Sequence, residues 1–496
     1  MTPAIDLETK LELIGTDLSL VIPELILAVG VVLLILIGLF RRDAKTLFST
    51  ASILAFILSI FFLGWSENSH LTPGPIFSGL IRSDDFSGFL ALLFDVAGIF
   101  TVMMTWRRQR DQRHLSEYYA VLLAVVLGAH LLVMSMNLLM VFISLELISI
   151  GSYILTGFSF SRRGAEGSLK YFLFGSVSSA VMLYGFSLLY GFTGTLDFSS
   201  SEFIEHIIGE DSILFFTAAL MSLAGFIYKI GAVPLHPWVP DIYEAAPMPI
   251  VAFFSVVPKL AGIGILTKFT LALNVFGQSS FDWQFVVCLI SIISLTVGNF
   301  SALWQKSPRR LMAYSSIAQS GFLLVGVAAF QPQGVHFMLF YAAIYMIVNF
   351  LVFQYLHYFE TIGMTSMESF SGSGKVFLWP SIFMLVGLIA LTGLPPTAGF
   401  TAKLFIFTSL WEAYHITTKP ILLWLLIFGL LNTVVSLFYY LRIPYFAFIK
   451  GKESGRKSNI LTFENLLGLV LVVVVLLLFF SPGLLMGWIN KINFVL

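Results

Sequence analysis

The chain has 496 residues, of which 58% are hydrophobic and only 11% are charged. Ordinary soluble domains carry about a quarter charged residues, so this composition excludes a soluble enzyme and predicts an integral membrane protein. The formal net charge of zero does not point to a nucleic-acid partner, and the single cysteine, Cys288, excludes a disulfide framework and a cysteine-ligated iron–sulfur cluster.

Long apolar segments follow one another along almost the whole chain. A hydrocarbon core about 30 Å thick is crossed by about 20 apolar residues in a helix. The segment 376–414 is too long for one straight crossing and contains Gly393-Leu394-Pro395-Pro396, so we predict a broken helix there. In all, the sequence predicts an all-α polytopic protein with about fourteen spans, at 20–40, 46–65, 86–106, 117–136, 137–158, 168–193, 212–233, 249–273, 282–304, 309–330, 335–358, 376–414, 420–447 and 460–480.

The basic residues are distributed unevenly between the two ends of these spans. The loops after the odd-numbered helices contain 19 of the 27 Lys and Arg residues, whereas the opposite loops contain Lys10, Arg82, Lys268, Lys419 and Lys491. Because positively charged loops stay in the cytoplasm, both termini are predicted on the non-cytoplasmic side of the membrane.

Three lysines fall inside apolar spans: Lys229, Lys259 and Lys403. Each costs about 2.5–3.5 kcal/mol to insert at the centre of a transmembrane helix, so a function in ion or proton transfer is favoured. The alternatives are a structural ion pair or a lysine that reaches the membrane surface, and Lys259 lies too near mid-span for the second. Glu146, also mid-span, is the natural counter-charge, and we predict that it pairs with Lys229 directly or through one water.

Other polar residues within spans carry weaker predictions. Asp95 matches no motif and could pair locally with a serine or tyrosine, while His130 is interpreted as a packing residue. Cys288 is also expected to pack in the core. No nucleotide-binding glycine motif and no metal-ligand cluster is visible in the sequence.

Prolines interrupt two of the lysine-bearing spans. Lys229 is followed by Pro234, Pro237 and Pro240, and Lys403 follows Pro395-Pro396. Backbone groups freed by proline at membrane depth are tolerated only where protein or water satisfies them, so both lysines are expected to border hydrated cavities.

The two breaks also suggest an internal repeat. Helices 4–8 and 9–13 form two blocks of five spans, and an odd number of spans inverts the second block relative to the first. The predicted organisation is therefore 1–116 for helices 1–3, 117–273 for the first repeat, 274–447 for the inverted second repeat and 448–496 for the last helix. On this alignment Glu146 corresponds to Ser320, beside Gln319, so the second repeat has no equivalent glutamate.

Four stretches carry a family resemblance. They are Leu145-Glu146-Leu147-Ile148-Ser149, the segment from Gly225 to Lys259, Arg310 to Ile317 and Gly393 to Lys403. Together they resemble the N-type antiporter-like subunit of respiratory complex I, the proton-pumping NADH:quinone oxidoreductase, and the likeness covers nearly the whole chain.

The resemblance implies a subunit that moves protons when quinone is reduced elsewhere in the complex. It implies that Glu146 and Lys229 form a switching pair, that Lys259 is the central relay and that Lys403 leads toward the other half-channel, with His236 and Tyr314 as weaker candidates. It also implies no cofactor in this chain, with flavin, iron–sulfur clusters and quinone on other subunits. The partners it implies are other membrane-arm subunits, especially the other antiporter-like ones, within the bilayer of a cell inner membrane.

Three other functions compete with this interpretation. A subunit of a multi-subunit sodium/proton antiporter would use nearly identical groups, and only the N-like motifs and Lys403 argue against it. A scaffold that does not conduct would not need buried lysines, and a solute transporter would need a mixed polar site near the bilayer midplane that the sequence does not show.

Overall fold

The computed structural model describes residues 15, 17–41, 44–68, 75–106, 114–208, 210–274, 280–451 and 462–493. Its helices are α1 (Ile22–Phe40), α2 (Lys45–Asn68), α3 (Asp85–Trp106), α4 (Leu115–Met134), α5 (Leu138–Gly157), α6 (Arg162–Thr193), α7 (Ser201–Ile207), α8 (Ile213–Ile230), α9 (Trp238–Ala245), α10 (Met248–Leu273), α11 (Trp283–Leu303), α12 (Pro308–Ala328), α13 (Pro332–Thr361), α14 (Ser373–Val376), α15 (Leu378–Thr392), α16 (Ala398–Thr417), α17 (Pro420–Tyr440), α18 (Arg442–Pro444), α19 (Phe463–Phe480) and α20 (Gly483–Ile489). One antiparallel strand pair, β1 (Pro75–Ile76) and β2 (Ile81–Arg82), a 3₁₀ turn at Glu368–Phe370 and a π-helical turn at Tyr445–Ile449 complete the list.

The prediction of a polytopic all-α membrane protein is confirmed. Within the described residues, 13 helices are long and apolar enough to cross a membrane, or up to 14 if the segments Glu368–Val376 and Leu378–Thr392, bent by 116°, count as one span. Most predicted boundaries are within a few residues of the observed ones, while α6 begins earlier than expected, at Arg162. The short helices α7, α9 and α20 were not predicted.

The centre of the molecule is α10. Nearly every side chain of Met248–Leu273 is buried, although the helix contains Pro258, and it packs against α3, α4, α8, α12 and α13. By contrast, α1, α6, α17 and α19 expose much of their apolar surface. Apolar surface on the outside and polar groups inside are what a lipid environment requires. Lys259 therefore lies on the most deeply buried helix.

The first predicted interruption is present after α8. The helix ends at Gly231, which has the positive φ of 66° that glycine tolerates at a helix C-terminus, and α9 starts at Trp238 beyond Pro234 and Pro237. Neighbouring side chains satisfy the freed backbone groups: Trp238 Nε1 donates to the Tyr228 carbonyl at 3.1 Å, and the Val233 amide donates to Ser294 Oγ at 3.0 Å.

The second predicted interruption is present between α15 and α16. Here the helix ends at Gly393, with φ 86°, and resumes at Ala398 beyond Pro395-Pro396. The freed carbonyls of Leu391 and Thr392 accept hydrogen bonds from Gln319 Nε2 at 3.2 Å and from Lys403 Nζ at 2.8 Å. A lysine therefore closes the second break directly, whereas neutral groups close the first.

One lysine is not where the loop analysis placed it. Lys268 was counted among the basic residues of the non-cytoplasmic loops, but it is fully buried near the end of α10 and forms an ion pair of 2.8 Å with Asp84. The assignment failed because α10 continues to Leu273 inside the protein, with Asp84 supplied by the segment before α3. Cys288 is buried in the core, as predicted.

Candidate functional site

Lys229 lies in the last turn of α8, just before the first break, and is 1% exposed. Its Nζ donates to Ser149 Oγ on α5 at 3.0 Å and lies 6.0 Å from the centre of the Tyr171 ring. The predicted direct ion pair with Glu146 is wrong, because neither carboxylate oxygen of Glu146 lies within the 4.0 Å that defines one. Instead, Ser149, one helical turn from Glu146, accepts the hydrogen bond from Lys229.

Glu146 is half-buried on the same helix as Ser149, and Ser179 Oγ of α6 donates to Glu146 Oε1. It is the charged group that acts electrostatically on Lys229. Two different serines therefore contact the two charged groups, Ser149 the ammonium and Ser179 the carboxylate. Approach of the two charged groups through a single water stays a prediction.

Lys259 connects the first break to α12. Its Nζ donates to the Ser316 carbonyl at 2.6 Å and to Ser320 Oγ at 2.8 Å. Ser320 Oγ in turn donates to the carbonyl of Ile230, the residue after Lys229, at 2.7 Å. No carboxylate of the described chain lies within ion-pair distance of Lys259, so hydroxyl and carbonyl oxygens alone hold it.

Buried hydroxyls extend from Lys259 toward the second break. Ser316 Oγ is 2.8 Å from the Tyr243 hydroxyl and 3.4 Å from the Tyr345 hydroxyl. Gln319, one helical turn from Ser316 and Ser315, accepts a hydrogen bond from the Tyr341 hydroxyl and donates to Tyr440 Oη at 3.1 Å. A cavity of about 10 Å³, room for about one water, lies among Gln319, Tyr341, Tyr345, Leu391, Gly399 and Ala402.

Lys403 follows Ala402, which lines this cavity, and is 4% exposed. Besides the Thr392 carbonyl, it contacts the face of the Phe322 ring at 4.0 Å from the centroid. The carbonyl end of a helix carries partial negative charge and an aromatic face attracts cations, so both contacts favour the ammonium form. Thus Lys403 has a helix end and a ring in place of a carboxylate.

A larger polar cavity of about 750 Å³ opens beside α9. It contains ion pairs from Lys170 to Glu166 and Asp241, and from Arg309 to Glu360. Its wall includes Glu244. The preceding residue is Tyr243, and the Tyr243 hydroxyl contacts Ser316. This cavity lies at the end of the molecule where most basic residues were found, the predicted cytoplasmic side.

The two weaker candidates do not join the lysines. His236 is half-buried in the first break and its Nδ1 has no hydrogen-bond partner among the described residues. Tyr314 is half-buried on α12, and its hydroxyl interacts with Arg310. The tyrosines that do enter the hydroxyl chain are Tyr243, Tyr341, Tyr345 and Tyr440.

Sequence reasoning missed Ser149, Ser316 and Ser320, which are the direct partners of the lysines. Two weak signals were present: the repeat alignment placed Ser320 opposite Glu146, and the spacing put Ser149 three residues after Glu146 and Ser320 one helical turn after Ser316. Serine is too common in membrane helices for such spacing to predict contact. The inter-helix geometry supplies the missing information.

Asp95 and His130 lie apart from the lysine chain. The interpretation of His130 as an ordinary packing residue is wrong, because its ring lies between the carboxyl groups of Asp95 and Glu24. The partner expected for Asp95 was a serine or tyrosine, and Ser59 does lie beside it, but the histidine is its main charged neighbour.

Residues 135–431, which contain both breaks and all three lysines, match the family described as NADH:quinone oxidoreductase/Mrp antiporter, transmembrane. This chain belongs to that family. It is also 38% identical over 491 residues to NADH-quinone oxidoreductase subunit N 2 of Chloroherpeton thalassium, covering 95% of this chain and 94% of the relative. It therefore belongs to the subunit N branch of the family.

Solved structures agree on the architecture. A chain of respiratory complex I from Thermus thermophilus with bound aureothin matches with a TM-score of 0.77 and 26% identity, over 94% of this chain and 99% of that one. A chain of the Mrp complex from Dietzia sp. matches with a TM-score of 0.81 over 95% and 96% of the two chains, but at 19% identity this likeness shows the fold alone.

Proposed function

We propose that this chain is the proton-translocating N subunit of a NADH:quinone oxidoreductase. It acts as part of that translocase by moving protons across the membrane while quinone is reduced elsewhere in the complex. Flavin, iron–sulfur clusters and quinone belong to other subunits. In the part of the chain that the structure describes, no group of three or more His, Cys, Asp or Glu residues could hold a metal ion.

One observation supports the proposal above the others: three buried lysines lie along a series of hydroxyl, amide and carbonyl groups in the core, interrupted by one small cavity. Ser320 joins Lys259 to the backbone next to Lys229, and the cavity beside Gln319 separates the Lys259 partners from Lys403. Three such lysines cost about 7–11 kcal/mol to insert on the same per-residue scale. A scaffold would have no reason to retain that cost.

The contacts suggest an order of transfer. Protons from the large cavity reach Tyr243, whose hydroxyl contacts Ser316, the residue whose carbonyl holds Lys259. Lys259 exchanges protons with Lys229 on one side and with Lys403, through the small cavity, on the other. Glu146 controls whether Lys229 keeps its proton, because removing a nearby negative charge destabilises the ammonium form.

The position of the chain in the cell and in its complex is part of the proposal. We place it in the inner membrane of a bacterium with both termini on the non-cytoplasmic side, beside other antiporter-like membrane-arm subunits. The blocks 117–273 and 274–447 would be inverted repeats. In support, each block has its break in the fourth predicted helix, next to Lys229 or Lys403.

Replacing Lys259 with Met tests the proposal. Methionine keeps the length and apolar character of the side chain, and the change removes an insertion cost of about 2.5–3.5 kcal/mol, so the complex should assemble. We expect the purified complex to lose proton pumping into vesicles and to turn over NADH with quinone more slowly. NADH oxidation by an artificial acceptor that bypasses quinone should be unchanged. An assembled variant with unchanged proton yield per NADH would refute the assignment.

Lys268 offers a matched control on the same helix. The double substitution Lys268→Met with Asp84→Asn removes an equally buried lysine together with its partner, so that no unpaired charge is left. We expect this variant to pump normally. Loss of pumping in both variants would mean that α10 is sensitive to any change, and the role of Lys259 would then have no support.

The second candidate function is a subunit of a multi-subunit sodium/proton antiporter, favoured by the shared family description. Purification of the native complex distinguishes the two. Co-purification with flavin-containing and iron–sulfur subunits supports the oxidoreductase, whereas sodium-dependent proton exchange without NADH-driven activity supports the antiporter.

A further inference from the structure

A second buried group of titratable side chains lies among the first four spans. Glu24 on α1, Asp95 on α3 and His130 on α4 are 5%, 0% and 0% exposed. His130 Nδ1 lies 3.0 Å from Glu24 Oε1, and His130 Nε2 lies 3.4 Å from Asp95 Oδ1. One imidazole thus bridges two carboxyl groups from different helices, and Ser59 of α2 lies beside Asp95.

Hydrogen-bond chemistry limits which protonation states this cluster can adopt. A neutral imidazole has one N–H donor and one acceptor nitrogen, so it can donate to only one of two carboxylates. The second carboxylate would then face a lone pair unless it carries a proton itself. Both oxygens of Asp95, Oε2 of Glu24 and His130 Nε2 have no hydrogen-bond partner in the described structure, which leaves these positions available for protons.

Charge leads to the same conclusion. A protonated histidine between two carboxylates carries a net charge of −1 in a site closed to water, and a neutral histidine between two carboxylates carries −2. Burial in a medium of low dielectric penalises net charge, so the form with −2 is disfavoured and the cluster is expected to hold a proton, which lowers the charge to −1 when one carboxyl group is protonated beside a neutral imidazole.

A metal ion does not fit this cluster. The two carboxyl groups contact different ring nitrogens and therefore lie on opposite sides of the imidazole. They cannot converge on one ion, and the described residues contain no group of three such side chains with ligand geometry. The ligand that the cluster suits is the proton.

We propose that Glu24, His130 and Asp95 form a second proton-binding site, which exchanges its proton through the imidazole during turnover. With His130 as the neutral Nδ1–H tautomer, Asp95 releases its proton to the lone pair of Nε2 while the Nδ1 proton passes to the Glu24 carboxylate, so that one O–H bond breaks, another forms, the ring changes tautomer and the net charge of the cluster stays at −1. The exchange during turnover rests on the proposed function, whereas the presence of a bound proton does not.

The lysines of α10 form no ion pair with this cluster, but α10 packs against the helices that carry Asp95 and His130. The lysines of α10, which packs against α3 and α4, are engaged elsewhere: Lys268 with Asp84 and Lys259 with α12. Among the described residues, the charged groups beside Asp95 are His130 and, through it, Glu24. A displacement of α10 would therefore move α3 and α4, and hence the distance between Asp95 and His130, without adding a competing charge.

Infrared spectroscopy of the intact complex tests the bound proton. A protonated carboxyl group has a C=O band that a carboxylate lacks, and this band shifts in D₂O. We expect it in the difference between wild type and Asp95→Asn, or between wild type and Glu24→Gln, but not for Ser59→Ala, which removes only a neutral neighbour. The absence of the band from both acidic variants' difference spectra would overturn the site.

A second measurement tests exchange. The spectrum induced by NADH in the wild-type complex should contain the same band, and His130→Gln, which keeps polar contacts but cannot carry a proton, should remove it from that induced spectrum. A band that is present at rest but unaffected by NADH would refute exchange. Because the resting band does not depend on pumping, its loss cannot be confused with failure of Lys259 as a relay. If Asp95→Asn does not assemble, the Glu24→Gln and His130→Gln spectra decide.

Discussion

Each broken helix carries one buried lysine, Lys229 before the first break and Lys403 after the second, and the two lysines have different partners. At the first break, two neutral side chains, Trp238 and Ser320, donate hydrogen bonds to the free carbonyls. Lys229 donates to Ser149 and lies near the carboxylate of Glu146. At the second break, Lys403 itself closes the helix end through the Thr392 carbonyl. A nearby formal charge, that of Glu146, therefore acts on Lys229, whereas a helix dipole and an aromatic ring act on Lys403.

This difference indicates that the two breaks have different roles in proton transfer. A carboxylate can change its charge or its distance, so the partner of Lys229 can switch, whereas a helix end and the Phe322 ring provide a constant field. We infer that the first break is the control point and that the second is a fixed stop for the proton. Three substitutions test this comparison.

The largest effect is expected from Glu146→Gln, which removes the switching charge. For two charges about 8 Å apart and an effective dielectric constant of about 20, the lost interaction is about 2 kcal/mol, equivalent to about thirtyfold in an equilibrium constant. The amide can still accept the hydrogen bond from Ser179, so assembly should persist. Proton pumping per NADH, measured in vesicles, should fall strongly. The exposed Glu368→Gln is the control, and equal pumping in both would remove the distinction between the two breaks.

A smaller effect is expected from Phe322→Leu, which removes the ring that faces Lys403. Cation–π contacts contribute about 0.5 to 2 kcal/mol, so turnover should fall by about two- to thirtyfold. Phe407→Leu is matched to it because Phe407 packs against the Phe322 ring, whereas the cation–π contact of Lys403 is with Phe322. If both variants lose the same activity, the ring serves packing alone and Lys403 does not depend on its field.

The smallest effect is expected from Ser320→Ala, which breaks the bridge between Lys259 and the Ile230 carbonyl. A single hydrogen bond contributes about 0.5–1.5 kcal/mol net, so coupled turnover should fall by about two- to tenfold. Ser291→Ala is the control, since Ser291 also donates to a buried carbonyl of α12, that of Gly321, whereas Lys259 binds the neighbouring Ser320 and the Ser316 carbonyl. A larger loss for Ser291→Ala would place the connection between the breaks elsewhere.

Much of the fold could be predicted from the sequence because the bilayer permits few solutions. Length and hydropathy predicted the spans, and Pro234 and Pro395 predicted the interruptions, since proline cannot donate the helical hydrogen bond. Lys268 was misplaced because the same hydropathy cannot distinguish a helix end at the surface from one covered by protein. His130 was misjudged because its two carboxyl partners come from helices far away in sequence, at Glu24 and Asp95.

The sequence by itself determined the class of the protein, the identity of its buried charges and the two helix breaks, because the cost of placing lysine or proline in a membrane depends on local chemistry. Only the tertiary structure decided the partners: Ser149 for Lys229, Ser316 and Ser320 for Lys259, and the Thr392 carbonyl and Phe322 ring for Lys403. Those contacts depend on how separate helices rotate and pack against each other, and helix rotation is set by the whole core, so no single segment of sequence encodes it.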